Sequence, residues 1–197
     1  ISGSLTDLNT LYVTNTGWTG QGAEALTVSD TAIDAALLTA VNAKTSGVIT
    51  VDATNIFGAG DQIVALYTAN TNAGHLTGLD GAETITLKGT STNATTLKVI
   101  SAADLGTLDT ATTGLITIDS SATSISGNKT QIAAALKADT VGTGSVGVTT
   151  PTVTGTENLA INITGSIDRD EYLAIQNNYT TGVITATLED STYAQIT

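Results

Sequence analysis

One phrase occurs three times in this chain: Thr45-Ser-Gly-Val-Ile-Thr-Val51, Thr112-Thr-Gly-Leu-Ile-Thr-Ile118 and Thr180-Thr-Gly-Val-Ile-Thr-Ala186. Its glycines, at 47, 114 and 182, stand 67 and 68 residues apart. A chain built on such a period is constrained first by its repetition. A unit too small to bury its own apolar face has to stack on its neighbours, which produces an elongated body in place of a globule around one pocket.

A second phrase sets the phase. Thr6-Asp-Leu-Asn-Thr-Leu-Tyr12 returns as Asp61-Gln-Ile-Val-Ala-Leu-Tyr67 and as Thr130-Gln-Ile-Ala-Ala-Ala-Leu136. Upstream of each lies Ile1-Ser-Gly-Ser4, Ile56-Phe-Gly-Ala59 or Ile125-Ser-Gly-Asn128. The chain therefore divides into cycles 1–55, 56–124 and 125–195, forming one repeat body over 1–197. Ile196-Thr197 matches the opening of a fourth cycle, and there is no methionine, so the chain is expected to be a segment of a longer tandem array.

Each cycle reads as two helix-then-strand halves. Leu8, Leu11 and Tyr12, then Ile63, Leu66 and Tyr67, then Ile132, Ala135 and Leu136 follow helical spacing. Strands are expected at Ala25–Val28, Thr84–Leu87 and Ser145–Val148. Asp34, Ser101 and Asp168 suit the N-caps of the second helices. These helices are expected to bury Leu38 with Val41, Leu105 with Leu108, and Leu173 with Ile175. The Thr-Thr-Gly phrase is expected to end each helix, its glycine supplying a left-handed turn. The stretches Thr95–Ile100 and Leu159–Thr164 read as extra strands that take up part of the greater length of cycles two and three. Strands joined by helical crossovers favour parallel pairing. The expected fold is an α/β repeat solenoid of three pseudo-repeats with short helices and parallel strands; the alternative is a mostly-β solenoid whose helices are only turns.

Composition excludes some partners. Eighteen acidic residues against six basic ones give a net charge of −12, with no basic stripe to meet a polyanion, so nucleic acid is not expected as a partner. The 41 threonines fit strands, where a branched β-carbon packs well on the pleat. The absence of cysteine removes disulfides and thiolate metal sites, and it suits an extracellular protein that avoids oxidisable side chains. No apolar run reaches the roughly 18 residues that would cross a bilayer, so membrane insertion is not expected.

The chemistry-bearing residues are few. His75, the single histidine, has no Gly-x-Ser-x-Gly elbow beside it and no counterpart in the other cycles, which points to a solvent-facing loop residue and to no catalytic role. Asp80 and Glu83, Asp168, Asp170 and Glu171, and Glu189 and Asp190 offer oxygen ligands of the kind calcium takes. The calcium-binding glycine-aspartate nonapeptide and the EF-hand loop are both absent. Helix capping accounts for Asp168 to Glu171 without a metal. Trp18 and Tyr179 stand in loops where an apolar ring could stack on a sugar, while Tyr12 and Tyr67 belong to the apolar helix face. Thr84 with Thr86, and Thr50 with Thr54, raise an ice- or mineral-binding hydroxyl array. No Thr-x-Thr register persists through all three cycles, so threonine is read as a strand former. Asn-x-Ser/Thr sequons occur at Asn93, Asn128, Asn162 and Asn178.

The run from Leu5 to Asp30, with Ala36-Leu-Leu and Thr45 to Ala53, resembles the degenerate tandem repeats of giant bacterial cell-surface proteins, often cyanobacterial and described as RTX-like or adhesin-like. The resemblance implies an exported, non-enzymatic protein at the cell surface, and it brings no catalytic residues. Two functions are expected from it. The first is a structural segment that forms or decorates a surface filament, sheath or layer by head-to-tail stacking, with copies of itself or neighbouring repeats as partners. The alternative is an adhesin or fibre segment that binds cell-surface glycans or a receptor.

Overall fold

The computed structural model describes residues 1–15, 17, 19–72, 75–91, 98–138, 153–178 and 182–189. Its helices are α1 (Leu5–Asn9, running on into a π-helical turn over Thr10–Thr14), α2 (Ala35–Asn42), α3 (Gly60–Asn72), α4 (Ala102–Ala111), α5 (Lys129–Ala138) and α6 (Arg169–Asn178). Between them run the short strands β1 (Ser2–Gly3), β2 (Leu26–Val28), β3 (Ala32–Asp34), β4 (Ile49–Val51), β5 (Asn55–Ala59), β6 (Leu76–Thr77) and β7 (Thr84–Lys88). The second half of the chain adds β8 (Thr90–Ser91), β9 (Lys98–Ser101), β10 (Ile116–Ile118), β11 (Ser124–Gly127), β12 (Val153–Thr154), β13 (Ala160–Ile167) and β14 (Ile184–Leu188).

Local chemistry starts the helices where the sequence predicts. Ser4 accepts from the Asp7 amide, Asp34 from the amides of Ala36 and Leu37, and Ser101 from that of Asp104. Asn128 with Gln131, and Asp168 with Glu171, close reciprocal capping boxes. Each helix packs on the next in chain order from α1 to α6. The buried stripe includes Leu5 and Leu8, Leu38 and Val41, Ile63 and Leu66, Leu105 and Leu108, Ile132 and Ala135, and Ile175.

The strands form three sheets, ordered β1-β2-β4-β6, β3-β5-β7-β10-β12 and β8-β9-β11-β13-β14. Every pair is parallel except β8–β9. Within them inward aliphatic side chains stand in rows: Leu26-Ile49-Leu76, Ile33-Ile56-Ile85-Ile116-Val153, and Ile100-Ile125-Ile161-Ile184. Most of these residues are fully buried, each contributing about 1.5–3 kcal/mol. The fold is α/β, with parallel sheets and six short helices.

The three sheets also agree in register. The glycine of each Ile-x-Gly phrase faces an aliphatic residue on the neighbouring strand: Gly3 faces Val28, Gly58 faces Leu87 and Gly127 faces Ile163. On the other side of that neighbour the Gly-x-Ile-Thr strands pair identically, Leu26 with Ile49, Ile85 with Ile116 and Ile161 with Ile184. The same backbone bond precedes each pair, from the amides of Leu26, Ile85 and Ile161 to the carbonyls of Val48, Leu115 and Val183.

Several expectations need correction. The helices are real hydrogen-bonded elements of up to thirteen residues, so the mostly-β alternative does not describe this chain. Leu173 is only partly buried; Tyr172 takes the place of Leu38 and Leu105, because it stands four residues after its cap as they do. Gly47 and Gly114 are not left-handed. Each lies against a backbone carbonyl, and an added Cβ would stand 2.0 Å from the Glu24 oxygen or 2.2 Å from that of Glu83. The stretch Leu159–Thr164 is a strand as expected, part of β13, but it is not an addition: Ala160–Ile163 pairs with β11 and Ile161-Asn162 with β14, the place held by Leu26–Val28 and Ile85–Leu87. Residues 95–97, Ser145–Val148 and Ile196-Thr197 lie outside the described residues.

Candidate functional site

The most elaborate side-chain cluster sits where a Gly-Ala-Glu turn meets the Thr-Ser/Thr-Gly phrase. It occurs twice. In the first, the Glu24 carboxylate accepts from the amides of Gly22 (2.8 Å) and Ala23 (3.2 Å) and from the Tyr12 hydroxyl (3.2 Å). In the second, Glu83 accepts from the amides of Asp80 (2.7 Å) and Gly81 (3.0 Å) and from the Tyr67 hydroxyl (2.8 Å). The partner phrase closes over the turn. Thr45 and Thr112 donate their hydroxyls to the carbonyls of Glu24 and Glu83 while accepting from the amides of Gly47 and Gly114. Ser46 and Thr113 donate to the carbonyls of Gly22 and Gly81 through both amide and hydroxyl. Burial, with the adjoining Glu83 carboxylate, pushes the Tyr67 phenol well above its usual range. The amides at Gly22 and Glu24 hold the Glu24 carboxyl below its ordinary value.

This clasp anchors structure. Glu83 is only 2% exposed and its carboxylate already accepts from three donors of its own chain, so a cation there would have to displace those bonds. Of the remaining acidic candidates, Asp168, Asp170 and Glu171 share the start of α6, and Glu171, Glu189 and Asp168 all act on the Lys129 ammonium and raise its pKa, while Asp80 belongs to the Glu83 turn. Asp80 accepts from the Ala82 amide. Asp168 and Glu171 cap α6, and Glu171 also meets Lys129 of α5 at 2.7 Å. Asp170 projects from the first turn of α6 and lies 3.8 Å from Arg169, while Glu189 accepts from the Ser166 hydroxyl. Asp190 lies outside the described residues, as do Trp18 and Tyr179. Among the described residues there is no group of three or more His, Cys, Asp or Glu side chains that could hold a metal, and no helix long and apolar enough to cross a membrane. His75 is exposed, and its carbonyl accepts from the Ile49 amide as part of the sheet. Tyr12 and Tyr67 are buried, each with its hydroxyl turned to a clasp.

The outward faces hold an arrangement that spacing within one strand does not reveal. Ser2, Thr27, Thr50 and Thr77 form one row across the first sheet. Asp34, Phe57, Thr86, Thr117 and Thr154 form another across the second, and Ser101, Ser126, Asn162 and Thr185 a third. Thr84 belongs to a different row, beside Asn55, and Thr54 lies in a bend where it donates to the Thr31 carbonyl. The rows come from matched register between strands, about 4.8 Å apart, so no Thr-x-Thr pattern was needed.

Among the described residues the sheets end at strands with one neighbour each. At the far end of the third sheet, β14 pairs with β13 alone among the described residues. Exposure follows: Val183 is 72% exposed, against 42% for Val48 and 39% for Leu115, the residues that make the same backbone bond in the other two sheets. No family model, no curated protein and no solved structure matches the chain.

Proposed function

We propose that this chain is a structural segment of an extracellular bacterial surface protein, forming or decorating a filament, sheath or layer by head-to-tail stacking. In this reading the cycles 1–55, 56–124 and 125–195 are three copies of one unit, stacked as an α/β solenoid. The observation that carries it is the repeated strand register: each sheet takes one Ile-x-Gly strand, one aliphatic strand and one Gly-x-Ile-Thr strand in the same order and alignment. The unbroken row of helices from α1 to α6 supports it as well. Such a body is held by nearest-neighbour contacts, and its work is mechanical, with no catalytic residue required. The acidic, cysteine-free composition and the resemblance to giant surface proteins support the placement outside the cell.

The test is electron microscopy of the protein isolated from its source, imaged before and after chelation of divalent cations. Regular filaments or sheets are expected. Isolated particles without a lattice in both conditions refute the structural reading.

A further inference from the structure

Asp80 is the one aspartate of the chain that is followed by glycine, and no asparagine is. Glycine has no Cβ to obstruct its own nitrogen, so that nitrogen can reach the carboxyl carbon of the preceding side chain and close a five-membered ring. Asp80-Gly81 forms the turn of the second clasp, and the groups such a ring would use are tied down there. The Gly81 amide, the attacking nitrogen, donates to Glu83 Oε2 at 3.0 Å, and the Asp80 amide donates to Glu83 Oε1 at 2.7 Å. The Asp80 carboxylate, the group attacked, accepts from the Ala82 amide at 2.9 Å. Gly81 is left-handed, with φ of 81°. Its carbonyl accepts from the Thr113 amide at 2.7 Å and from the hydroxyls of Thr112 and Thr113 at 3.1 Å each.

The restraint and the reacting group differ in their access to water. Glu83 is buried, whereas Asp80 is exposed, so the water that ring closure releases and ring opening consumes has free passage at Asp80. The first clasp makes the equivalent bond, from the Gly22 amide to Glu24 at 2.8 Å, but Gln21 stands where the second has Asp80. A glutamine side chain is one methylene longer and would have to close a six-membered ring, so the reactive pair occurs in one clasp and not in the other.

We propose that Asp80-Gly81 is a site of backbone isomerisation and that the Glu83 clasp holds it closed. When the clasp opens, the Gly81 nitrogen attacks Asp80 Cγ. The nitrogen gives up its proton and one oxygen of the carboxyl leaves as water, which forms a succinimide. Water then adds to one of the two ring carbonyls. Addition at Cγ restores aspartate. Addition at the main-chain carbonyl breaks its bond to the Gly81 nitrogen and routes the chain through Cβ and Cγ, which gives isoaspartate. The mass is unchanged overall, and no oxidant or reductant takes part. The product has one extra backbone atom between the Asp80 Cα and the Gly81 nitrogen, so the two amides no longer span the two oxygens of Glu83. An opening of the clasp is thereby recorded in the covalent chain. None of this depends on how copies stack.

The test counts isoaspartate by enzymatic methylation of its carboxyl group and locates it by peptide mapping, in the native wild type and in the same chain unfolded in urea. Because an amide bonded to a carboxylate must be freed before it attacks, the native chain is expected to react about tenfold or more slowly than the unfolded one. Glu83→Leu removes both acceptors, and the milder Glu83→Gln turns an NH2 group towards one of the two amides. Each, shown to be folded by circular dichroism, is expected to react about threefold or more faster than native wild type. Leu38→Ala, at a fully buried position of α2, controls for destabilisation away from the clasp and is expected to keep the wild-type rate. Asp80→Ser is expected to abolish the signal. The proposal is overturned if native and unfolded wild type react at one rate, or if the folded Glu83 variants react no faster than wild type or than Leu38→Ala. A signal that survives Asp80→Ser overturns it as well.

Discussion

The Tyr67–Glu83 pair makes a quantitative demand on the clasp. Tyr67→Phe deletes one hydrogen bond to a buried carboxylate and is expected to cost about 1.5–3 kcal/mol. Glu83→Leu removes the acceptor from the Tyr67 hydroxyl and from two backbone amides, at 2.7–3.0 Å, and is expected to cost about 3–5 kcal/mol. With Leu at 83 the tyrosine hydroxyl has lost that acceptor but keeps its bond with the Thr112 side chain, a neutral one, so adding Tyr67→Phe is expected to cost about 0.5 kcal/mol more. The single changes therefore exceed the double by about 1–3 kcal/mol. The choice of leucine comes from the chain itself. Leu136 stands where the repeated phrase has Tyr12 and Tyr67, and Leu159 stands two residues before Ile161 as Glu83 stands two before Ile85. Urea unfolding at neutral pH followed by circular dichroism reads each cost from the midpoint, provided the slope is unchanged. The first clasp is an internal control: Tyr12 meets the partly exposed Glu24 at 3.2 Å, and Tyr12→Phe is expected to cost less than about 1 kcal/mol. Additive effects at 67 and 83, or a Tyr67→Phe midpoint equal to wild type, would refute the argument.

Glycine changes should divide by what the new methyl meets. Gly114→Ala puts a Cβ 2.2 Å from the Glu83 carbonyl oxygen and is expected to cost about 3 kcal/mol, whereas Gly106→Ala, inside α4 with open space around it, is expected to stabilise by about 0.5–1 kcal/mol. Thermal melts of the two variants give opposite shifts if the geometry is right, and a loss at Gly106 contradicts it. Asp104 is held above its ordinary pKa of 3.8 mainly by burial, with Asp61 adding to the rise and the Ser101 bond opposing it. Its folded form binds the proton more tightly than the unfolded chain does, so its contribution to stability falls as pH rises from the ordinary value through the raised one. Asp104→Asn should remove that fall, so the stability of wild type relative to the variant declines over the window; parallel curves would refute the assignment.

The outline of the fold was legible in the sequence because its causes are local. Asp34, Ser101 and Asp168 announce helix starts, and the spacing of Leu38 with Val41 announces a buried stripe. What was misread depended on contacts between distant segments. Gly47 and Gly114 look like helix-ending glycines until the carbonyls of Glu24 and Glu83 are seen against them, more than twenty residues away in sequence. Leu159–Thr164 looks like an insertion because the third cycle lacks the Gly-Ala-Glu turn at that register and places a longer strand there. The threonine rows were missed for the same reason: Thr27, Thr50 and Thr77 occur on three strands, and nothing within one strand shows that their registers match.

Charge sets the terms on which copies can meet. Each copy carries a net charge of −12, so head-to-tail stacking of the kind proposed is opposed by long-range repulsion, while its gains would come from short-range backbone bonds and apolar burial. Repulsion is screened as salt rises, the Debye length falling from about 30 Å at 0.01 M to about 8 Å at 0.15 M, and the short-range contacts are little affected. Association is therefore expected to strengthen with salt, the reverse of a contact held by opposite charges. The same reasoning separates two roles for calcium. If divalent cations act only by screening, magnesium and calcium at equal ionic strength should promote assembly equally, as the distribution of Asp80, Asp168, Glu171 and Glu189 over capping and turn bonds favours. A calcium effect well beyond that of magnesium would require oxygen ligands gathered at one place, and it would refute the screening account. Sedimentation of the wild type in sodium, magnesium and calcium chloride at matched ionic strength decides between them.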